Sequence, residues 1–186
     1  MRIIAGKNKG LTLASVGKGD AGAHLRPTTD RVRESLFNLL LNGPYGDPVT
    51  GARVLDLFAG TGALGLEALS RGAAHVTFVD DGVKARALIR ENIAKCRAEG
   101  ATKLFRRDAT RLGENRGAPF DLIFLDPPYG KGLGEKALQA ARAGGWIAPG
   151  ALVVWEENAP VTAPEGFTEC DSRRYGDTVI TILEAA

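Results

Sequence analysis

Val54-Leu55-Asp56-Leu57-Phe58-Ala59-Gly60-Thr61-Gly62-Ala63-Leu64-Gly65 is the stretch on which the fold turns. Val54 to Phe58 is an apolar run too short for a helix and reads as a buried strand. Gly60, Gly62 and Gly65 then allow a tight turn and a close approach between that strand and a helix opening at Ala63. Asp80 follows about 20 residues on, at the end of the next expected strand. Strand, glycine turn, helix and strand again describe an open α/β sheet, whose ligands sit at the carboxyl ends of the strands.

The glycine spacing also fits a dinucleotide fingerprint, so a nicotinamide dehydrogenase is the rival reading. Asp56 argues against it. A carboxylate just before the turn repels a pyrophosphate but accepts hydrogen bonds from an ammonium group. S-adenosylmethionine carries an amino group, a sulfonium and a ribose, and no phosphate. Asp56, Gly60 and Gly62 suit its amino-acid end, and Asp80 suits the ribose hydroxyls. Asp108, after a third short strand, suits the adenine amino group, with a plain helix cap at Ala109 as an equal alternative.

Phe120-Asp121-Leu122-Ile123-Phe124-Leu125 is a second apolar strand, stopped by Asp126-Pro127-Pro128-Tyr129. Proline cannot continue the ladder and holds its predecessor extended. A carboxylate, a rigid carbonyl and an aromatic plane are thus fixed where ligands bind. A nucleobase or amide amino group is a poor nucleophile because its lone pair is delocalised. Asp126 and the Pro127 carbonyl can hold its two N–H groups, and Tyr129 can stack on the flat ring. The alternative is a strand-end cap and an ordinary turn.

Composition sets the outer limits. The 186 residues suit one domain, with 44% hydrophobic and 25% charged residues as in ordinary globular proteins. No apolar run reaches membrane-spanning length and Met1 to Lys7 lacks a signal-peptide core, so a cytoplasmic protein is expected. Cys96, Cys170, His24 and His75 are too few and too scattered for zinc, and neither a disulfide nor a metal is expected. The net charge of +2 is uneven: residues 1–35 carry seven basic and three acidic side chains, and the remainder sums to −2. A basic amino-terminal segment on a near-neutral body suits contact with phosphates, a solvated surface being the plainer alternative.

Arg2–Ala5 and Leu11–Val16 predict a hairpin around Lys7 and Lys9, and the glycine-rich stretch 17–24 predicts a mobile loop. Thr28, Thr29 and Asp30 then cap a helix whose stripe is Val32, Leu36, Phe37, Leu39 and Leu40, leaving Arg31, Arg33 and Asn38 off it. Residues 1–43 form a basic hairpin-helix extension on a single methyltransferase-like domain, 1–186. Further strands are expected at Val76–Val79, Leu104–Arg106 and Leu152–Trp155, with a closing hairpin at Phe167–Arg174 and Thr178–Leu183. Helices fall at Ala63–Ser70, Val83–Ala98 and Glu135–Ala143. Glu156 reads as structural ahead of catalytic, Asn92 as a helix cap or pin, and His75 as exposed.

With these residues assembled, the chain resembles the RsmD family, the guanine-N2 methyltransferases of bacterial 16S ribosomal RNA. The likeness runs through Arg2-Ile3-Ile4-Ala5-Gly6, Lys9-Gly10, Leu25 to Glu34, Phe37-Asn38, Leu55 to Gly62, Phe120 to Tyr129 and Tyr175-Gly176. The Arg26 to Glu34 block is its specific part. The resemblance implies a Rossmann-like class I methyltransferase fold, with a mostly parallel seven-stranded sheet and an antiparallel last strand. It implies adenosylmethionine as cofactor, held by Asp56, Gly60, Gly62, Asp80 and Asp108. A guanine amine would meet Asp126, Pro127 and Tyr129, and Lys7, Lys9, Arg26, Arg31 and Arg33 would contact RNA. The partner would be 16S ribosomal RNA, free or in an assembled small-subunit particle, acted on by a monomer. An adenine-N6 DNA methyltransferase, a protein glutamine methyltransferase and a non-catalytic RNA-binding module remain the alternatives. Neither cysteine ends a strand beside proline, which favours amino methylation over ring-carbon chemistry.

Overall fold

Alternating apolar strands and amphipathic helices build a seven-stranded sheet in a computed structural model that describes residues 1–15 and 28–186. The end of the expected second hairpin strand at Val16, the glycine-rich stretch 17–24 and Arg26 lie outside the described residues. The elements run α1 (Asp30–Asn42), β1 (Arg53–Leu57), α2 (Ala63–Ser70), β2 (His75–Val79), α3 (Val83–Lys95), β3 (Thr102–Phe105), β4 (Phe120–Leu125), α4 (Leu133–Ala143), β5 (Ile147–Glu157), β6 (Phe167–Tyr175) and β7 (Thr178–Ala185). The spatial order is β3-β2-β1-β4-β5-β7-β6. Strands β1 to β5 pair in parallel, and β7 runs antiparallel to both of its neighbours. The order reverses between β1 and β4, which opens a crevice where their carboxyl ends diverge.

Helices cover both faces because the parallel strands are apolar on both. On one face α1, α2 and α3 share a core with Val54, Val76, Phe78, Leu122, Phe124, Val154 and Ile182. On the other, α4 packs Ala137, Leu138 and Ala141 against Leu55, Ile123, Leu125, Val153 and Trp155. Gly65 shows why α2 begins with so small a residue. A Cβ there would lie 2.6 Å from the Phe78 ring, 2.7 Å from Val76 and 3.0 Å from Asp56 Oδ2. The helix can therefore lie directly on the strands that carry the site.

Several elements depart from the sequence reading. The amino-terminal hairpin closes through a single bridge, Arg2 with Thr12, instead of two strands. Backbone bonds within it join Ile3 N–H to the Leu11 carbonyl, Gly10 N–H to that of Ile3 and Leu13 N–H to that of Met1, while Lys7 N–H to the Ser70 carbonyl and the Ala14–Asn92 pair dock it on α2 and α3. Asn92 is thus a pin, but for the amino-terminal arm and the glycine turn, donating to the Ala14 and Thr61 carbonyls. Strand β5 begins five residues before the expected Leu152, its pairing with β4 shifting register between Phe120 and Leu122 so that Pro149-Gly150 is accommodated. Helix α3 stops at Lys95, and Arg97 beyond it takes a left-handed conformation (φ +51°). His75 is half-buried, its ring nitrogen 2.8 Å from Thr77 Oγ1.

Arg33 requires the largest correction. It is wholly buried, not a surface cation off the apolar stripe. Its guanidinium bonds Glu67 at 3.3 Å, Asp30 at 2.8 Å and the Thr28 carbonyl at 3.5 Å, and also reaches the Arg2 carbonyl. Buried charge persists where it is paired and hydrogen-bonded. Glu67 completes the knot by accepting the Ile4 and Ala5 N–H groups and Arg71. Glu67→Ala should therefore lower unfolding stability by about 3–5 kcal/mol, since it strands a buried guanidinium. Urea denaturation measures this, and a loss under about 1 kcal/mol would show that the knot relaxes without cost.

Candidate active site

The crevice at the carboxyl ends of β1, β2 and β4 is a cleft of about 680 Å³. Asp56, Gly60, Asp80, Asp108, Asp126, Pro127 and Tyr129 all line it. Every catalytic and cofactor residue expected from sequence is thus on or beside one cavity, Gly62 lying between the lining residues Thr61 and Ala63. Among the described residues its wall carries five aspartates (Asp56, Asp80, Asp81, Asp108, Asp126) and two cations, Lys84 and Arg107. Such a surface attracts cations and repels a pyrophosphate.

Chain geometry at the glycine turn explains how those carboxylates are held. Phe58, Gly60 and Gly62 have φ of +55°, +62° and +81°, a run of left-handed backbone that glycine eases. Asp80 clamps the turn: Oδ2 accepts the Gly60 N–H at 3.0 Å and Oδ1 the Gly82 N–H at 2.9 Å. Burial raises the Asp80 pKa, against the pull of those two amides, and Asp81 adds to the rise. Asp56 lies deeper, 1% exposed, its Oδ2 accepting the Gly65 N–H at 3.1 Å. Burial pushes its pKa well above the usual carboxylate range, and the charge of Asp80 pushes the same way.

Asp108 caps the 3-10 turn Ala109–Arg111, accepting the Thr110 N–H at 2.9 Å and hydroxyl at 2.7 Å, and these bonds lower its pKa. The capping alternative is therefore realised, while the residue still lines the cleft. Across the cavity, β4 ends at Leu125 and delivers Asp126 half-buried, Pro127 buried and Tyr129 half-buried. The Tyr129 hydroxyl donates to Glu156 at 3.1 Å. Burial and then the Glu156 charge raise the phenol pKa, which keeps Tyr129 protonated as a ring and a donor rather than a base.

Three features escaped the sequence reading. Thr28 lines the cleft from the start of α1. Val83 lines it too and is 76% exposed, an apolar platform at the head of α3 whose only sequence signal was its place after Gly82. Glu156 lies behind the wall, joined to both Thr28 and Tyr129. Of the expected phosphate contacts, Lys7, Lys9 and Arg31 are exposed, Arg33 is not, and Arg26 is outside the described residues. Among the described residues, no cluster of His, Cys, Asp or Glu is placed to hold a metal ion, and no helix is long and apolar enough to cross a membrane.

The desolvated Asp56 carboxylate has a consequence for stability. Its folded pKa is raised, so its contribution is fully favourable below the ordinary carboxylate range and is lost as pH rises through the raised value. Asp56→Asn keeps an acceptor for Gly65 and removes that charge. The ligand-free variant should melt higher than the parent at pH 8, with the gain shrinking towards pH 4, while affinity for a cationic ligand falls. A variant melting lower than the parent at pH 8 would contradict the desolvation account.

The family model described as Conserved hypothetical protein 95 matches residues 1–184. YlbH of Bacillus subtilis (strain 168) is 40% identical over 190 aligned residues, covering 99% of this chain and 98% of that protein. Ribosomal RNA small subunit methyltransferase D of Escherichia coli (strain K12) is 38% identical over 172 residues, 90% of this chain and 81% of that one. Among solved structures, yhhF from Escherichia coli superposes with a TM-score of 0.83 at 34% identity, covering 100% of this chain and 97% of that chain. Matched over almost its whole length in sequence and in fold, the chain belongs to the RsmD family of methyltransferases.

Proposed function

We propose that the protein transfers a methyl group from S-adenosylmethionine to the exocyclic N2 amine of a guanine in 16S ribosomal RNA. Methylation of ribosomal RNA accords with the family relatives, which are named small subunit methyltransferases. The observation that carries the finer reading is the convergence of two acidic ends on one cleft: Asp56 and Asp80 from β1 and β2, and Asp126 with Tyr129 after β4.

The donor fits the residues present. A buried carboxylate beside a glycine turn suits an ammonium group, Asp80 has acceptor capacity beyond its two amides for ribose hydroxyls, and the excess of aspartates tolerates a sulfonium. Val83 supplies an apolar surface for the adenine near Asp108. Bound there, adenosylmethionine supplies an already activated methyl, so the protein's task is alignment more than acid–base chemistry. Asp126 and the Pro127 carbonyl accept from the target amine and orient its lone pair, and Tyr129 stacks on the base. The guanine must leave its stack to arrive there.

Incubating labelled donor with ribosomal RNA or small subunits from cells lacking the enzyme, then mapping the nucleoside, tests this directly. Labelled N2-methylguanosine in 16S RNA is expected, whereas label on adenine or on a protein glutamine would refute the assignment. Asp126→Ala should hold donor affinity within about threefold of the parent while single-turnover transfer falls about 10–100-fold, the loss expected for a charge-assisted hydrogen bond. Retention of near-parental turnover would remove Asp126 from the amine-holding role.

The exposed basic arm is the proposed grip on RNA phosphates, with Lys7, Lys9 and Arg31 as its members. Each lost phosphate contact flattens the salt dependence of RNA binding by about 0.7–0.9 in log–log slope. Replacing the three with alanine should weaken RNA binding and flatten that slope by about 2, while donor affinity holds. An unchanged slope would leave the arm as solvated surface.

A further inference from the structure

The cleft wall formed by Thr28 and Tyr129 is held from behind by a carboxylate that does not itself line the cavity. Glu156 lies near the end of β5 and is 6% exposed. Its Oε2 accepts the Thr28 hydroxyl at 2.8 Å, across 128 residues of sequence, and its Oε1 accepts the Tyr129 hydroxyl at 3.1 Å. Thr28 precedes the α1 cap residue Thr29, and Tyr129 closes the turn that follows β4. One planar group thereby sets the spacing between the amino-terminal arm and the aromatic plane.

The neighbouring residue acts on the same turn. Glu157 Oε1 accepts the Gly130 N–H at 3.1 Å. Glu156 and Glu157 thus both hold the turn after β4. Holding a carboxylate at such burial is costly unless it is hydrogen-bonded, and a charged acceptor binds hydroxyls more strongly than a neutral one. The bond from the Tyr129 hydroxyl, which is also bonded to Thr178, therefore restrains the ring beyond packing alone, and the bond from Thr28 ties the facing wall to the same carboxylate.

We propose that Glu156 is a positioning residue for the target base, acting through Tyr129 and Thr28 to fix the wall against which the flat ring is presented. This rests on the amine-methylation reading above, with Tyr129 as the stacking plane. A merely structural carboxylate would influence folding; a positioning one must influence the transfer step through those two hydroxyls in particular.

The test compares Glu156→Ala, Glu156→Gln, Thr28→Val and Tyr129→Phe, the Thr28→Val/Tyr129→Phe double variant, and that double variant carrying Glu156→Gln. Single-turnover methylation of small subunits from cells lacking the enzyme is measured at saturating donor, alongside donor Kd. Glu156→Ala should slow transfer by about 10–100-fold, the loss expected for bonds to a charged acceptor, with donor Kd within about threefold of the parent. Glu156→Gln should fall between, since its amide still accepts one hydroxyl. In the double-variant background Glu156→Gln should cost almost nothing more, because the hydroxyls through which it acts are gone.

Additive effects in that cycle, or parental transfer by Glu156→Ala, would overturn the proposal. A parallel loss of donor affinity in the Gln variant would do the same, by showing general damage to the cleft. Should the Ala variant fail to fold, the Gln variant and the two hydroxyl variants decide the question alone. Failure of the unsubstituted enzyme to label a guanine amine would instead sink the proposed function, so the two failures are told apart.

Discussion

The buried carboxylate of Glu67 is the contact on which the arrangement of this protein depends. It sits in α2, the helix that begins at the glycine turn, and it gathers Arg33 from α1, Arg71 from the cap of its own helix and two backbone N–H groups of the amino-terminal arm. A buried ion pair contributes little net stability compared with apolar packing, but breaking it is expensive. Its effect is to permit one geometry. Thr61 in the turn donates to the Met1 sulfur, and Asn92 joins Ala14 to the Thr61 carbonyl. Arm, first helix and glycine turn therefore form one body, and the basic residues Lys7, Lys9 and Arg31 project from a platform continuous with the cleft.

The glycines of that turn matter for what they permit others to do. Gly65 lets α2 lie on β1 and β2 closely enough for its N–H to reach Asp56, and Gly60 turns its N–H to Asp80. Asp56 is buried and Asp80 half-buried, and burial raises the pKa of each. Ionising them in so desolvated a cleft is unfavourable, as at many functional sites. A positive charge placed beside them would offset that cost.

Much of this was readable from residue order alone. Ala63–Ser70 and Phe120–Leu125 are legible in the sequence because glycine and proline punctuate them at fixed places. Strand-end aspartates followed from those boundaries, and the cleft gathers all of them. What was not legible depended on partners distant in sequence. Arg33 looked solvated because helical periodicity places it off the apolar stripe; the acceptor that buries it, Glu67, belongs to another helix. The long β5 was hidden by Pro149-Gly150, which ordinarily ends a strand but here lies in a stretch where the β4 pairing shifts register. Glu156 carried no motif at all, since its meaning comes from Thr28 and Tyr129.

The glycine spacing alone leaves dinucleotide binding and methyl-donor binding undivided, because both need a backbone that can approach a ligand at a helix start. Charge divides them. A pyrophosphate seeks the N–H groups of that helix and a site free of carboxylates. Here the first helical N–H groups face a different fate, the Gly65 amide being already engaged by Asp56. With four further aspartates among the described residues around the cavity, the field at the turn favours a positive ligand. The same acidity would repel the phosphates of an approaching RNA if it were spread over the surface. Asp56 is buried and Asp80 half-buried, while the exposed Lys7 and Lys9 stand on the arm and Arg31 on α1. The two signs are thus separated in space more than by burial, since Asp81 and Asp108 are exposed at the cleft while the basic residues stand on the amino-terminal segment.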